Sequence, residues 1–397
     1  MLSIHQHIPS NTKPSHMYKV IAKVIAKVAI VALSCCLTIS ILSKIYKISP
    51  SDCQSSPLPS TSFQAAARFD EQISPVINSA TEDLYSARKI FWISDNAEQC
   101  PAPDQSKFGT ATDSSQLQWL LDQAEDYLGV EDTLFSTNTV LFPGSEINYY
   151  LDESIFTVTW QELHHNYAYT ISEVVISHPS QLRRYVTEGP NLFTTTRMCQ
   201  MNNAVLAVSG DFFKCREPGI VINNSEVIRV RMGNKLDTCY VDDHGDLHFT
   251  YAGEITTIEQ AEAYTEENNI QFSLSFGPIL IDNGQVQPLE SYPIGEVFDN
   301  YPRAAFGQRG ELHYIIVTAN ACGLSWNAPT IPIFTQVLSS FGCDKFYTLD
   351  GGRTGSIALN GELMNPVAEN YKDGQRMISD IFFFASAIPN HKDQSVD

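Results

Sequence analysis

Positive charge is scarce in this sequence once its first 51 residues are set aside. Those residues hold six lysines (Lys13, Lys19, Lys23, Lys27, Lys44 and Lys47) and no Asp, Glu or Arg. The rest carries 19 Lys and Arg against 45 Asp and Glu, a net of −26. Such a body repels nucleic-acid phosphates, which excludes nucleic acid as a partner. CxxC pairs are absent, and the histidines do not stand at zinc-ligand spacing, so no structural metal is indicated. Internal repeats are absent as well. Of nine cysteines, Cys35 and Cys36 lie in an apolar run, leaving seven elsewhere, an odd number that cannot all pair within one chain.

That apolar run, Val28–Ser43, has 16 uncharged residues between Lys27 and Lys44. It falls short of the about 20 usual for a span. Lys23, Lys27 and Lys44 can snorkel at its ends, and Val20–Ala26 extends its apolar face. No small-x-small cleavage site follows it, so residues 20–48 read as an uncleaved signal anchor, with a cleaved signal peptide as the competing reading. Four lysines before the run and two after place residues 1–19 in the cytoplasm and the body outside. The Pro/Ser-rich stretch Ser49–Ser62 opens a linker and helical spacer over 49–133. The spacer's helix is Ser115–Leu128, with Leu117, Leu120, Leu121, Ala124 and Leu128 on one face, Ser114 or Ser115 as its cap and Gly129 as its end.

From residue 134 to 390 the texture becomes that of short strands with turn residues between them, followed by a tail, 391–397. Strand-like runs include Ile155–Trp160, Tyr167–Ser177, Ala204–Val208, His313–Thr318, Phe346–Leu349, Ser356–Leu359 and Ile378–Phe384. Asn283-Gly284, Asn360-Gly361 and Asp373-Gly374 read as hairpin turns. Helices are expected over Ile258–Asn268 and from the Asn327–Thr330 region onward, where Ile331, Phe334, Val337, Leu338 and Phe341 form an apolar stripe closed by Gly342. The fold class is α+β: mixed β-sheets with flanking helices in one large domain. His313–Thr318, a helix and Phe346–Leu349 read as a crossover joining a parallel pair, which gathers the loops Ala319–Ser325 and Asp350-Gly351-Gly352 at one edge. It also separates Cys322 from Cys343, so no disulfide is expected between them.

Chemistry concentrates at strand ends. Tyr347–Gly361, YTLDGGRTGSIALNG, sets an acid, two glycines, an arginine and a threonine between two β-prone runs. It is not a P-loop, because a strand rather than a helix follows. A hairpin turn and a ligand-cradling loop both fit. Ala204–Val208 ends in Ser209-Gly210-Asp211-Phe212-Phe213, again an acid and a glycine. Arg303, among small and apolar residues in PRAAFG, reads either as a buried ion-pair partner or as a guanidinium fork for phosphate.

Five blocks in this order, SGDFF (209–213), GIVINNSEV (219–227), FGPILIDNG (276–284), PRAAFG (302–307) and TLDGGRTGSIALNG (348–361), resemble the phosphodiester glycosidase domain family, bacterial exopolysaccharide-type members included. The upstream stretches YYLDESIFTVTW and SQLRRY are similar to those members too. The resemblance implies hydrolysis or transfer at a sugar-1-phosphodiester in a surface polysaccharide or glycoconjugate. Such a reaction needs a carboxylate at the anomeric carbon or bridging oxygen and a cation for the phosphate. It assigns Asp350, Asp211 and Arg303 as catalytic, and Ser209, Gly210, Gly351, Gly352, Arg353, Thr354 and Arg216 as substrate-binding. No cofactor is implied, although the acidic site leaves room for a divalent ion. Ser209 stands where the family has Asn, and Arg353 where it has a third Gly. A relative that binds glycan without turnover is the alternative.

Overall fold

The computed structural model describes residues 100–388 apart from 131, 212, 215–218, 232–235, 290–291, 293–294, 321–326 and 367–373. The expected anchor over 20–48, the linker to residue 99, and Cys322 lie outside the described residues. Among the described residues no helix is long and apolar enough to cross a membrane.

Among the described residues, three sheets and four helices make up a sheet-rich α+β domain. The large sheet runs, edge to edge, through β1 (Phe108–Ala111), β2 (Ile147–Leu151), β3 (Ile155–His164), β4 (Tyr167–Ile176), β15 (His313–Asn320), β14 (Arg303–Gly310), β16 (Lys345–Leu349), β12 (Ile279–Asp282) and β13 (Gln285–Val286). A second sheet orders β10 (Leu247–Thr250), β9 (Thr238–Asp242), β11 (Ile270–Leu274), β7 (Ile220–Asn223) and β8 (Glu226–Val230). The third orders β18 (Glu362–Leu363), β17 (Ile357–Leu359), β6 (Leu206–Ser209), β19 (Asp380–Phe384) and β5 (Leu182–Val186).

Alternation along the strands of the large sheet sends side chains to two cores. Phe156, Val158 and Trp160 of β3 join Ile171, Val317, Ala305 and Phe346 on one face. Helices α1 (Ser114–Leu128) and α4 (Ile331–Leu338) cover that face with Leu117, Leu120, Ala124, Ile331, Phe334 and Leu338. On the other face Tyr150, Ile316, Phe306 and Tyr347 meet Val208, Phe382 and Phe384 of the third sheet and Leu274 of the second. The rings of Phe306 and Phe382 lie 4.6 Å apart, so the two sheets interdigitate through aromatics. Helices α2 (Thr195–Met201) and α3 (Ile258–Glu267) pack on the third and second sheets.

The apolar stripes of α1 and α4 match the expected ones, and Gly129 and Gly342 end their segments in left-handed conformations as expected. The cap of α1 is Asp113 rather than either serine. Its carboxylate accepts from Ser115 and Gln116 amides at 3.0 and 2.9 Å, because the helix begins at Ser114, which puts Asp113 at the capping position.

Two expectations change. β15 and β16 do run in the same direction, but they are not neighbours: β14 lies between them, antiparallel to both. All strand pairings among the described residues are antiparallel. The crossover therefore spans a strand, and the strand it spans begins where the other two end. The second change concerns the stretch before residue 134, read from sequence as a spacer. Residues 108–128 supply an edge strand and a core helix of the large sheet. The tie that follows is Glu173 of β4, fully buried, which accepts the amides of Leu134 and Phe135 at 2.8 and 2.9 Å.

Candidate active site

Three strand ends build the site. β14 starts at Arg303, opposite Ala319 of β15, while Ala304 pairs with Leu349 of β16. One step beyond Leu349 is Asp350, half-buried, so the acid and the arginine emerge side by side in register. Arg303 is only 8% exposed. Its Nε donates to the Pro329 carbonyl at 3.3 Å and an Nη2 to the Asp299 carbonyl at 2.5 Å, and its guanidinium lies 5.9 Å from the Tyr301 ring centre. The guanidinium thus fastens the segment before β14 to the start of α4.

After Asp350 the chain curls against the backbone before β14. Gly352, with φ of +62°, donates its amide to the Pro302 carbonyl at 2.9 Å. A side chain on Gly351 would stand 2.1 Å from that same oxygen, so only hydrogen fits. Thr354 and Gly355 amides close a turn onto the Gly351 carbonyl at 3.0 and 3.3 Å. Asn365, buried, then clamps the exit: it donates to the Gly355 carbonyl at 2.9 Å and accepts from the Ile357 amide at 2.7 Å. The loop thereby carries the chain from the large sheet to the third sheet. There Ser209 donates its amide to the Ser356 carbonyl at 3.0 Å and accepts the Ser356 amide on its hydroxyl at 3.1 Å. Arg353, half-buried, reaches Gly374 O at 3.5 Å through Nε, while its own carbonyl accepts from the Arg376 amide at 3.2 Å. Thr354 is buried with its hydroxyl unpartnered.

Beyond Ser209 lies a sealed ion cluster. Arg184 of β5 is shared by Asp211 at 3.0 Å and Asp380 of β19 at 2.8 Å, and none of the three side chains reaches solvent. The same guanidinium donates to the Ser273 carbonyl of β11, which ties the second sheet to the third. Asp211 also accepts the Ser275 amide at 2.8 Å and the Phe213 amide at 3.1 Å. The Asp380 carboxylate fills the space beside Gly210, where an added side chain would stand 1.9 Å away. Burial pushes the Asp211 pKa up to about 7; Arg184 opposes that shift and Asp380 adds to it. Burial also works against the Arg184 charge, but the two carboxylates more than offset it and hold its pKa above the ordinary value. Phe213 faces the cluster, with the Arg184 and Arg229 guanidinium carbons 5.5 and 5.3 Å from its ring centre.

The structure therefore brings Arg303, Asp350, Gly351, Gly352, Arg353 and Thr354 to one edge, with Ser209 and Gly210 at the loop's far end. Asp211 lies next to them in sequence but under the surface, with both oxygens engaged. Arg216 lies outside the described residues. Sequence reasoning missed Arg184, Asp380 and Asn365. Asp380 stood in plain view as an acid set against the apolar run IFFFA, an arrangement that calls for a buried cation.

The Asp-Gly-Gly loop thus stands at the end of a central strand of an antiparallel sheet, not of the parallel pair expected from the sequence. Residues 202–385, which contain all five blocks, match the model of the phosphodiester glycosidase family. No curated protein matches the chain in sequence. Among solved structures, the chain is similar to the zebrafish N-acetylglucosamine-1-phosphodiester alpha-N-acetylglucosaminidase catalytic domain, auto-inhibited by its pro-peptide. That likeness has a TM-score of 0.48 and 16% identity over 58% of this chain and 83% of that one. A hypothetical protein from Synechocystis gives 0.43 and 13% over 63% and 65% of the two chains. A putative exported protein from Burkholderia pseudomallei gives 0.40 and 11% over 56% and 74%.

Proposed function

We propose that this protein hydrolyses sugar-1-phosphodiester linkages in a surface polysaccharide or glycoconjugate, its domain held outside the cell by the anchor at 20–48. The observation that carries this reading is the placement of a half-buried Asp350 beside the first residue of β14, on a loop fixed at both ends by Pro302 and Asn365. In the reaction, water adds to the anomeric carbon, the bond from that carbon to the bridging oxygen breaks, and a phosphate monoester leaves. Asp350 is the acid placed to serve at that bond. Arg303 and Arg353 flank it in sequence and register, and either guanidinium suits the phosphate oxygens.

Asp211 takes a different part. Sealed and doubly engaged, it acts on the site as a positioning residue, holding Gly210 and Ser209 in place under the loop. Gly351 and Gly352 likewise serve first to let the loop approach Pro302. No cofactor is assigned.

The test is release of sugar from a chromogenic sugar-1-phosphodiester by the purified full chain. Asp350→Asn is expected to lower kcat by about 100-fold or more. Unchanged turnover in Asp350→Asn would sink the assignment. The half-buried Arg353, pinned to Gly374 and Arg376 where the family has glycine, favours the second reading, a glycan-binding relative without turnover. That reading prevails if glycan binds while no phosphodiester is cleaved.

A further inference from the structure

Five large aromatic side chains stand exposed among the described residues: Trp119, Tyr127, Tyr251, Phe298 and Tyr301. Trp119 and Tyr127 lie on the outer side of α1, and the Tyr251 hydroxyl has a partner in Gln287 at 3.1 Å. Phe298 and Tyr301 stand elsewhere. Exposed by 57% and 44%, they lie three residues apart on the segment that leads into Arg303, at the Asp350 edge. A single exposed aromatic needs no explanation, but a pair beside a candidate site marks a contact surface.

The segment is held from three sides. Val297, buried in the core that α4 covers, roots it, and Arg303 donates to the Asp299 carbonyl between the two rings. The same guanidinium lies 5.9 Å from the Tyr301 ring centre, a cation–π contact that fixes the ring. Pro302, next in the chain, has a locked φ and accepts the Gly352 amide at 2.9 Å, so Tyr301 is one residue from a contact with the Asp350 loop. Aromatic rings held in place before binding lose little freedom on contact. Their faces are electron-rich, and a pyranose offers C–H groups of the opposite polarity on its flat side. Neither ring carries charge, so the pair suits an uncharged sugar and not the phosphate. We propose that Tyr301 and Phe298 are specificity-determining residues that stack one uncharged sugar ring of the glycan beside the Asp350 loop. The assignment of that ring to the substrate rests on the function proposed above; the stacking of a sugar does not.

Binding is measured by NMR titration of the full chain with maltotriose, cellotriose and N-acetylchitotriose as probes. At least one is expected to bind saturably, its C–H signals shifted upfield by the aromatic ring current. Affinity should fall about tenfold in Phe298→Leu and in Tyr301→Leu, which keep apolar surface but lose the flat face, while Tyr301→Phe should match the wild type. Tyr127→Leu, which removes an exposed ring from α1, should change nothing. Phe298 is exposed, so the melting of Phe298→Leu should match the parent, which separates a lost contact from a lost fold. The platform is overturned by absence of saturable binding for all three probes, by an equal loss in Tyr127→Leu, or by unchanged affinity in both leucine variants at positions 298 and 301, the result expected of an apolar docking surface for a lipid or a second copy. With a trisaccharide-1-phosphodiester as substrate, Phe298→Leu should raise KM about tenfold and leave kcat within about twofold. Binding that persists when no phosphodiester is cleaved overturns the reaction alone; cleavage with no trisaccharide bound and KM unchanged overturns the platform alone.

Discussion

Arg184 and Asp211 meet at 3.0 Å with neither side chain touched by solvent, and the guanidinium has a second carboxylate, Asp380, to neutralise as well. One positive and two negative groups leave a buried excess of negative charge, which protonation of Asp211 relieves. The folded-state pKa of Asp211 is raised to about 7. The unfolded value is about 3.9. Between those values the folded state holds the extra proton, so this residue's contribution to stability is greatest in acid and is lost as pH rises through about 7. The denaturation midpoint of wild type minus that of Asp211→Asn should therefore fall between about pH 5 and about pH 8. A difference that grows over that interval would falsify the assignment. Arg184→Met should cost about 3–5 kcal/mol, because it strands two buried carboxylates.

Glu173 has the opposite sign. Burial opposes its charge, yet His313 at 2.6 Å and the Leu134 and Phe135 amides hold its pKa below the ordinary carboxylate value. Its stabilisation is present above its unfolded pKa of about 4.3 and is lost as pH falls through the lower folded one. Urea melts of wild type and Glu173→Gln should differ most near neutrality and converge in acid. A gap that widens on acidification would be the contrary result.

Two neighbouring glycines separate close approach from mere smallness. Gly351→Ala drives a methyl to 2.1 Å from the Pro302 carbonyl, against backbone that cannot swing aside. It should cost about 1–3 kcal/mol and distort the loop. Gly355→Ala meets nothing nearer than 3.4 Å and should be tolerated. Thermal melts of the two variants side by side decide the point, and equal losses would argue against it.

Chelation should leave turnover unchanged. The described residues hold one cluster with metal-like spacing, Asp242, Asp243 and His244, on the exposed turn between β9 and β10. One Asp242 oxygen already accepts the His244 and Asp246 amides at 2.9 and 2.8 Å, and the other lies 2.8 Å from His248. A rate that collapses in EDTA and returns with a divalent ion would require a metal at the Asp350 edge instead.

Local order was readable in the sequence wherever one periodicity ruled a segment. Leu117 to Leu128, Ile331 to Phe341 and the long strands around Trp160 and Tyr169 emerged because their buried faces repeat without interruption. The turns at Asn283-Gly284 and Asn360-Gly361 emerged from residue chemistry alone. Pairing did not follow from the same signals. Nothing in RAAFGQRG states that it inserts between His313–Asn320 and Lys345–Leu349, since the crossover rule expects those two to be neighbours. The Asp350 loop was visible as a composition, yet its fixing residue Asn365 was not, because a single amide in a turn has many uses. Asp211 looked like a reactive acid by position, and only three dimensions show Arg184 and Asp380 closing over it.

The pairing of β1 with β2 also decides where this protein can be cut. A fragment begun at residue 134 would keep the five family blocks and lose β1, leaving Ile147–Leu151 with a row of unanswered amides and carbonyls. The same edge of a second copy would pair with it, and the product would be a dimer. Cys100 extends the requirement upstream, for its carbonyl accepts from Asn203 at 3.0 Å and its sulfur lies 3.1 Å from Arg183. A fragment that keeps these contacts starts no later than residue 100.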